Sequence, residues 1–229
     1  MAINRLTKIL SIENNYGIDR FGSTFIFIGV LVQIITYEVS GGNWLSLLSG
    51  CLGVISVVLC SQRKVGFYVF GFAQLITYVI LCINQRLYGE IAENAFYFVT
   101  MLFGLVWWVR HYNDKEKAVE TRKMTPKHIL LLSAVTGLVI IGFAQVLAKT
   151  DDTQPYLDSM TTVPAIVAQI LMITRYRESW YFWLTIDTGS IAMWAIAGDW
   201  CMVAQFVFWS VNCAYGMIKW ENNNDKIQR

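Results

Sequence analysis

Residues 179–220, SWYFWLTIDTGSIAMWAIAGDWCMVAQFVFWSVNCAYGMIKW, contain only three charged side chains, Asp187, Asp199 and Lys219. A helix needs about 20 residues at roughly 1.5 Å rise to cross a hydrocarbon layer about 30 Å thick. The run is therefore read as two membrane spans, 179–198 and 200–220. The rest of the chain has the same character. Of 229 residues, 55% are hydrophobic and 15% charged, with 3 Pro and a mean hydropathy of +0.46; soluble domains carry about 25% charge and 45–50% apolar residues. The class is a polytopic membrane protein. Eight spans consume about 160 residues, which leaves no room for a separate catalytic or nucleotide-hydrolysing domain.

Working outward, six further spans are predicted at 21–39, 44–60, 65–84, 88–111, 127–149 and 161–176. The segregation of cations supports the count of eight. One side of the membrane holds Arg5, Lys8, Arg20, Arg63, Lys64, Arg110, Lys115, Lys117, Arg122, Lys123, Lys127, Arg175, Arg177, Lys219, Lys226 and Arg229, which is 16 of the 18; the other holds Arg86 and Lys149. Lys and Arg in short loops stay cytoplasmic, so both termini are expected in the cytoplasm. The outer loop, 150–158, carries Asp151, Asp152 and Asp158 and no cation. The charged loop 111–124 divides the chain, and Thr125-Pro126 reads as a cap and first-turn proline of the next helix.

At the N-terminus, Ile3, Leu6, Ile9, Leu10 and Ile12 alternate with Arg5 and Lys8 as in a surface amphipathic helix. No apolar core and cleavage site mark a removable signal peptide. A net charge of +2 does not suggest nucleic-acid binding. Cys51, Cys60, Cys82, Cys201 and Cys213 sit singly, without the spacing of a zinc or disulfide framework.

A shift of 112 residues lays Tyr88 on Trp200, Phe96 on Phe208, Tyr97 on Trp209, Gly104 on Gly216 and Trp108 on Trp220. Spans two to four and six to eight then form two three-helix bundles in one orientation, with span five as inverting linker and span one as an extra. The expected divisions are 1–43 (amphipathic N-terminus and extra helix), 44–112 (first bundle), 113–160 (loop, linker helix and outer loop), 161–220 (second bundle) and 221–229 (tail). Parallel repeats joined by one helix are the SWEET-type transporter plan, in which substrate binds near the midplane.

Polar groups at depth are costly and mark interiors or cavities. Asp187 falls about 12 Å into span seven and Asn212 about 18 Å into span eight, with Gln74 and Tyr97 at a similar level. Helical spacing gathers Trp180, Trp183 and Asp187 on one face, and Gln205, Trp209, Asn212 and Gly216 on another. Phe67, Gly71, Gln74 and Tyr78 share a face of span three, and Glu90, Asn94, Tyr97 and Met101 one of span four. Each has a plainer reading. Trp44, Trp108, Trp180, Trp200 and Trp220 at span ends suit interface anchors. Trp183, Trp194 and Trp209 serve either substrate contact or packing, and Gln74, Gln205 and Asn212 either recognition or interhelical hydrogen bonds. Asp187, with no Lys or Arg at depth to pair with, favours function; Gln33 and Gln169 read as structural.

Such a set suits a flat ring carrying hydroxyls. Tryptophan faces stack and attract cations, amides bond hydroxyls and a carboxylate complements positive charge. A phosphate fits poorly where no Lys or Arg lies at depth. No GxxxxGK[ST] motif is present, and the two histidines, His111 and His128, lie in or beside the fourth loop, so no catalytic set, resident cofactor or metal is expected.

The stretches 71–108 and 179–220, with their LYGE, WxxWxxxD and QxxxWxxNxxxG segments, resemble the PnuC family of bacterial nicotinamide riboside transporters. The resemblance covers nearly all of the chain after the first span. It implies an all-α SWEET-like 3+1+3 fold plus one N-terminal helix, an inner-membrane location, homotrimers, and facilitated diffusion of the riboside made one-way by a cytoplasmic riboside kinase. It also implies a site on Trp180, Trp183, Gln205, Trp209 and Asn212, with Asp187, Gln74, Tyr78, Asn94 and Tyr97 close by. A sister transporter for thiamine or riboflavin, or a binding subunit of an ATPase-driven importer, are the competing classes.

Overall fold

The computed structural model describes residues 17–40, 44–85, 88–149, 155–197 and 200–227. The predicted amphipathic helix within 1–16, and Arg86, Asp151 and Asp152, lie outside the described residues. Eight helices are present among those described: α1 (Arg20–Ser40), α2 (Trp44–Ser61), α3 (Phe67–Gln85), α4 (Tyr88–Arg110), α5 (Pro126–Leu147), α6 (Pro155–Ile173), α7 (Ser179–Ala197) and α8 (Trp200–Ile227). α1, α2, α5 and α6 are long and apolar enough to cross a membrane, and α3 holds a shorter apolar stretch, Phe67–Leu81. Large apolar side chains point outward, among them Phe27, Phe103, Leu130 and Leu138 at 68–73% exposure. Water would not tolerate this surface, whereas lipid solvates it.

Two boundaries differ from expectation by more than three residues. α6 starts at Pro155 rather than 161, because proline suits a first helical turn, Asp158 in that turn complements the helix dipole, and Ser159 donates to the Pro155 carbonyl at 2.7 Å. α8 runs on past 220 to Ile227, since no Gly or Pro interrupts the polar segment and Glu221 is held by an ion pair described below. α5 begins as predicted, with Thr125 as N-cap accepting from the His128 N–H and Pro126 in the first turn. Inside the charged loop, β1 (Tyr112–Asn113) and β2 (Ala118–Val119) pair antiparallel, Tyr112 opposite Val119. The Asn113 side chain accepts from the Lys115 and Glu116 N–H groups and so shapes the turn.

The chain divides into two compact units, Met1–Glu120 and Thr121–Arg229. In the first, α2 ends in a left-handed residue, Arg63 at φ 61°; Arg63 N–H donates to Cys60 O and Lys64 N–H to Leu59 O, both at 2.9 Å. This is a Schellman cap with arginine in the position glycine usually takes. In the second, Arg175 at φ 69° closes α6 in the same way, donating to Met172 O at 3.0 Å, while Tyr176 donates to Leu171 O at 2.8 Å. Beyond each cap the next helix carries a buried ring. Tyr68 stands edge-on to Trp108 at 5.5 Å and 88°; Trp180 stands edge-on to Trp220 at 5.6 Å and 89°. All four are buried, and each member of the second pair lies 112 positions after its counterpart.

Candidate functional site

In the second unit, the near-continuous apolar sequence from 179 makes α7 and α8 an antiparallel hairpin. Asp187 of α7 is 3% exposed and accepts a hydrogen bond from Cys213 Sγ of α8 at 3.3 Å. Asn212, next to Cys213, is 2% exposed. Trp183 precedes Asp187 by four residues and Trp209 precedes Cys213 by four. Because the two helices run in opposite directions, the tryptophans lie one turn to either side of the acid–thiol pair along the hairpin axis. Trp209 rests edge-on to Phe206 at 5.2 Å and 79°, and its indole Nε1 is buried with no partner among the described residues. A buried donor of this kind costs about 1–3 kcal/mol, a cost that a ligand acceptor would remove. Trp183 is half-buried.

Trp180, whose indole Nε1 is also buried, packs at the end of the hairpin. Its ring covers Gly216, where an added Cβ would lie 2.5 Å from Cε2, and meets Trp220. It seals the end of the hairpin, and Gly216 is there to admit it. The side chains of Gln205, Trp194 and Trp200 lie outside the described residues.

In the first unit, Gln74 is half-buried and lies along α2, its Cγ 3.5 Å from where a Gly53 Cβ would be. Tyr78 is half-buried on the same helix, and Asn94 is buried on α4. Tyr97 OH donates to Glu93 Oε1 at 2.6 Å. The side chain of Glu90 lies outside the described residues.

The charges gather at the helix ends. Arg177 Nη1 meets Glu221 Oε1 at 2.6 Å and its Nε meets Glu178 Oε1 at 3.2 Å. Burial works against the charge on Arg177, but the bonds to Glu221 and Glu178 outweigh it and hold the guanidinium above its ordinary value. The Arg177 hydrogen bond and charge hold Glu221 below the ordinary carboxylate value. In the first unit burial lowers Arg63 despite its bond to Glu116 at 3.1 Å. An open cavity of about 360 Å³ at the start of α5 is lined by Lys123, Met124, Thr125, His128 and Tyr176 and touches none of the predicted site residues.

The nicotinamide mononucleotide transporter family matches residues 43–222. The chain belongs to this family. Among its relatives is the nicotinamide riboside transporter PnuC of Neisseria mucosa, 28% identical over 215 residues, covering 89% of this chain and 82% of the relative. The PnuC of Haemophilus influenzae is 28% identical over 203 residues, covering 87% and 89%, and that of Escherichia coli 23% identical over 230 residues, covering 90% and 95%. The crystal structure of the vitamin B3 transporter PnuC superposes with a TM-score of 0.77 at 25% identity, covering 92% of this chain and 94% of that one. The family is one of transporters and not of enzymes, and the fold is that of a helical membrane transporter.

Sequence reasoning overlooked two partners within the family region. Cys213 was read as an isolated thiol, although it and Asp187 both lie about three to four turns from the Gly198-Asp199 break, so hairpin register was the available signal. Glu93, one turn before Tyr97, is the acceptor for that phenol, a pairing that i, i+4 spacing could have flagged.

Proposed function

We propose that this protein carries nicotinamide riboside into the cytoplasm across the bacterial inner membrane by facilitated diffusion. The observation that carries the reading is the near-full-length match to several chains named nicotinamide riboside transporters. The riboside suits the interior better than its phosphorylated form, because no Lys or Arg falls in the middle of any span. In the second unit the substrate is held by Trp183, Gln205, Trp209, Asn212 and Asp187, with Trp180 supporting them; in the first the candidates are Gln74, Tyr78, Asn94 and Tyr97. A separate cytoplasmic kinase traps the product, consistent with a chain that has no energy-coupling motif. Residues 44–112 and 161–220 are two parallel bundles of a 3+1+3 plan, 1–43 adds one helix, the helix within 113–160 inverts the chain, and 221–229 follows the last span. Both termini face the cytoplasm, a reading the cation asymmetry supports, and the protein works as a homotrimer.

Calorimetry on the purified protein and uptake into liposomes containing nothing else test this. Nicotinamide riboside is expected to bind and to equilibrate without ATP. Binding of thiamine or riboflavin in its place would make the protein a sister transporter. Binding without unaided equilibration would make it a subunit of an ATPase-driven importer.

A further inference from the structure

We infer that the buried Asp187–Cys213 pair is a charge selector, which makes the site prefer a riboside whose ring is an N-alkylated aromatic cation over a neutral analogue of the same shape. The inference rests on the riboside reading above and adds which part of the substrate the acid recognises.

Three observations carry it. First, the fold does not need a polar pair at this point. The positions 112 residues earlier are Leu75 and Met101, both buried on α3 and α4, so the same scaffold accepts two apolar side chains where the second unit has an acid and a thiol. Second, the donor that holds Asp187 is weak. A thiol fixes the carboxylate in place but offsets little of its charge, whereas a structural buried acid would be matched with a cation or strong donors. The carboxylate keeps acceptor capacity for a positive group. Third, a tryptophan lies one turn to either side of the pair, on α7 and α8. Indole faces attract cations, and the buried Nε1 of Trp209 supplies a donor that has no partner among the described residues. Cys213 is here a positioning residue, acting through Asp187.

The oxidised riboside carries a pyridinium cation, and its reduced dihydropyridine form is neutral with nearly the same shape. Affinities of the two for the purified full-length protein give a ratio that a merely structural role would not move. Wild type is expected to favour the cation by roughly 10- to 100-fold, the order of a close charge–charge contact discounted for desolvation. Asp187→Asn should bring the ratio near unity by weakening binding of the cation far more than that of the neutral form. Cys213→Ala should reduce the ratio, and Cys213→Ser should restore it. The double variant Asp187→Leu with Cys213→Met borrows the residues that the first unit buries at the same two positions; it should fold with an undiminished melting temperature and show no cation preference. An unchanged ratio in Asp187→Asn or in the double variant, with both forms still bound, overturns the charge selector and leaves the riboside reading standing. Wild type that binds neither form overturns both.

Discussion

The Arg63 turn and the Arg175 turn are the same structure made twice. Each closes its helix with a left-handed arginine and starts the next helix with the same ladder, Phe67, Tyr68 and Val69 N–H onto Lys64, Val65 and Gly66 carbonyls in one, Ser179, Trp180 and Tyr181 onto Tyr176, Arg177 and Glu178 in the other. The linker peptide is used alike as well: Arg63 O accepts from Val119 N–H within the first unit, and Arg175 O from Arg122 N–H within the second. Two turns further along the helices the likeness ends. Leu75 and Met101 of the first unit correspond to Asp187 and Cys213 of the second, and Tyr97 to Trp209. The repeated ends hold the helices together, and the divergent middles are where the proposed substrate site lies.

Substitutions at the ends should therefore act on stability in both units, and those in the middle on affinity. The largest effect is expected from Trp108→Ala and Trp220→Ala. Each removes a fully buried ring and should cost about 3–5 kcal/mol; unfolding in detergent that shows only one of them destabilised would break the equivalence. Next, Arg177→Ala strands the fully buried Glu178 and should cost roughly 3 kcal/mol, against about 1 kcal/mol or less for Arg63→Ala, whose partner Glu116 is more exposed. In the middle, Trp209→Ala and Asn212→Ala should weaken riboside binding by about 1–3 kcal/mol, while Trp44→Ala, on a side chain 65% exposed, leaves it unchanged. Equal losses at all three, measured by calorimetry, would show that packing had been taken for recognition.

The smallest effect is that of pH on the second unit's ion pair. Glu221 has its carboxyl lowered in the folded state, so its contribution is complete above the ordinary value of 4.5 and is lost as pH falls through the lowered one. At 51% exposure, Glu221→Gln should cost under about 1 kcal/mol and flatten the stability profile below that pH. A profile as steep as that of wild type would assign the acid response to another group.

Much of the architecture was legible along the chain. The 112-residue repeat, first seen in Trp108 and Trp220, recurs in the turns, in Tyr68 and Trp180, and in the arginine caps. Thr125-Pro126 announced its helix because capping is a matter of a few adjacent residues. The start of α6 was misplaced because polar Asp158 and Ser159 lower the hydropathy while serving the first turn. Helical spacing places Trp180 with Trp183, and the fold adds that its ring covers Gly216 and meets Trp220.

By itself, the sequence determined the solvent and the run of apolar helices, and it predicts the sidedness of the charge. Hydropathy and charge act residue by residue, and a span is long enough to sum them. Only the tertiary structure decided that Asp187 meets Cys213, that Tyr97 is engaged by Glu93, and that Trp180 closes on Gly216. Such meetings depend on the packed rotation and depth of each helix, and for Asp187 and Trp180 on a neighbouring helix whose residues lie far along the chain. No periodicity within one helix reports those quantities.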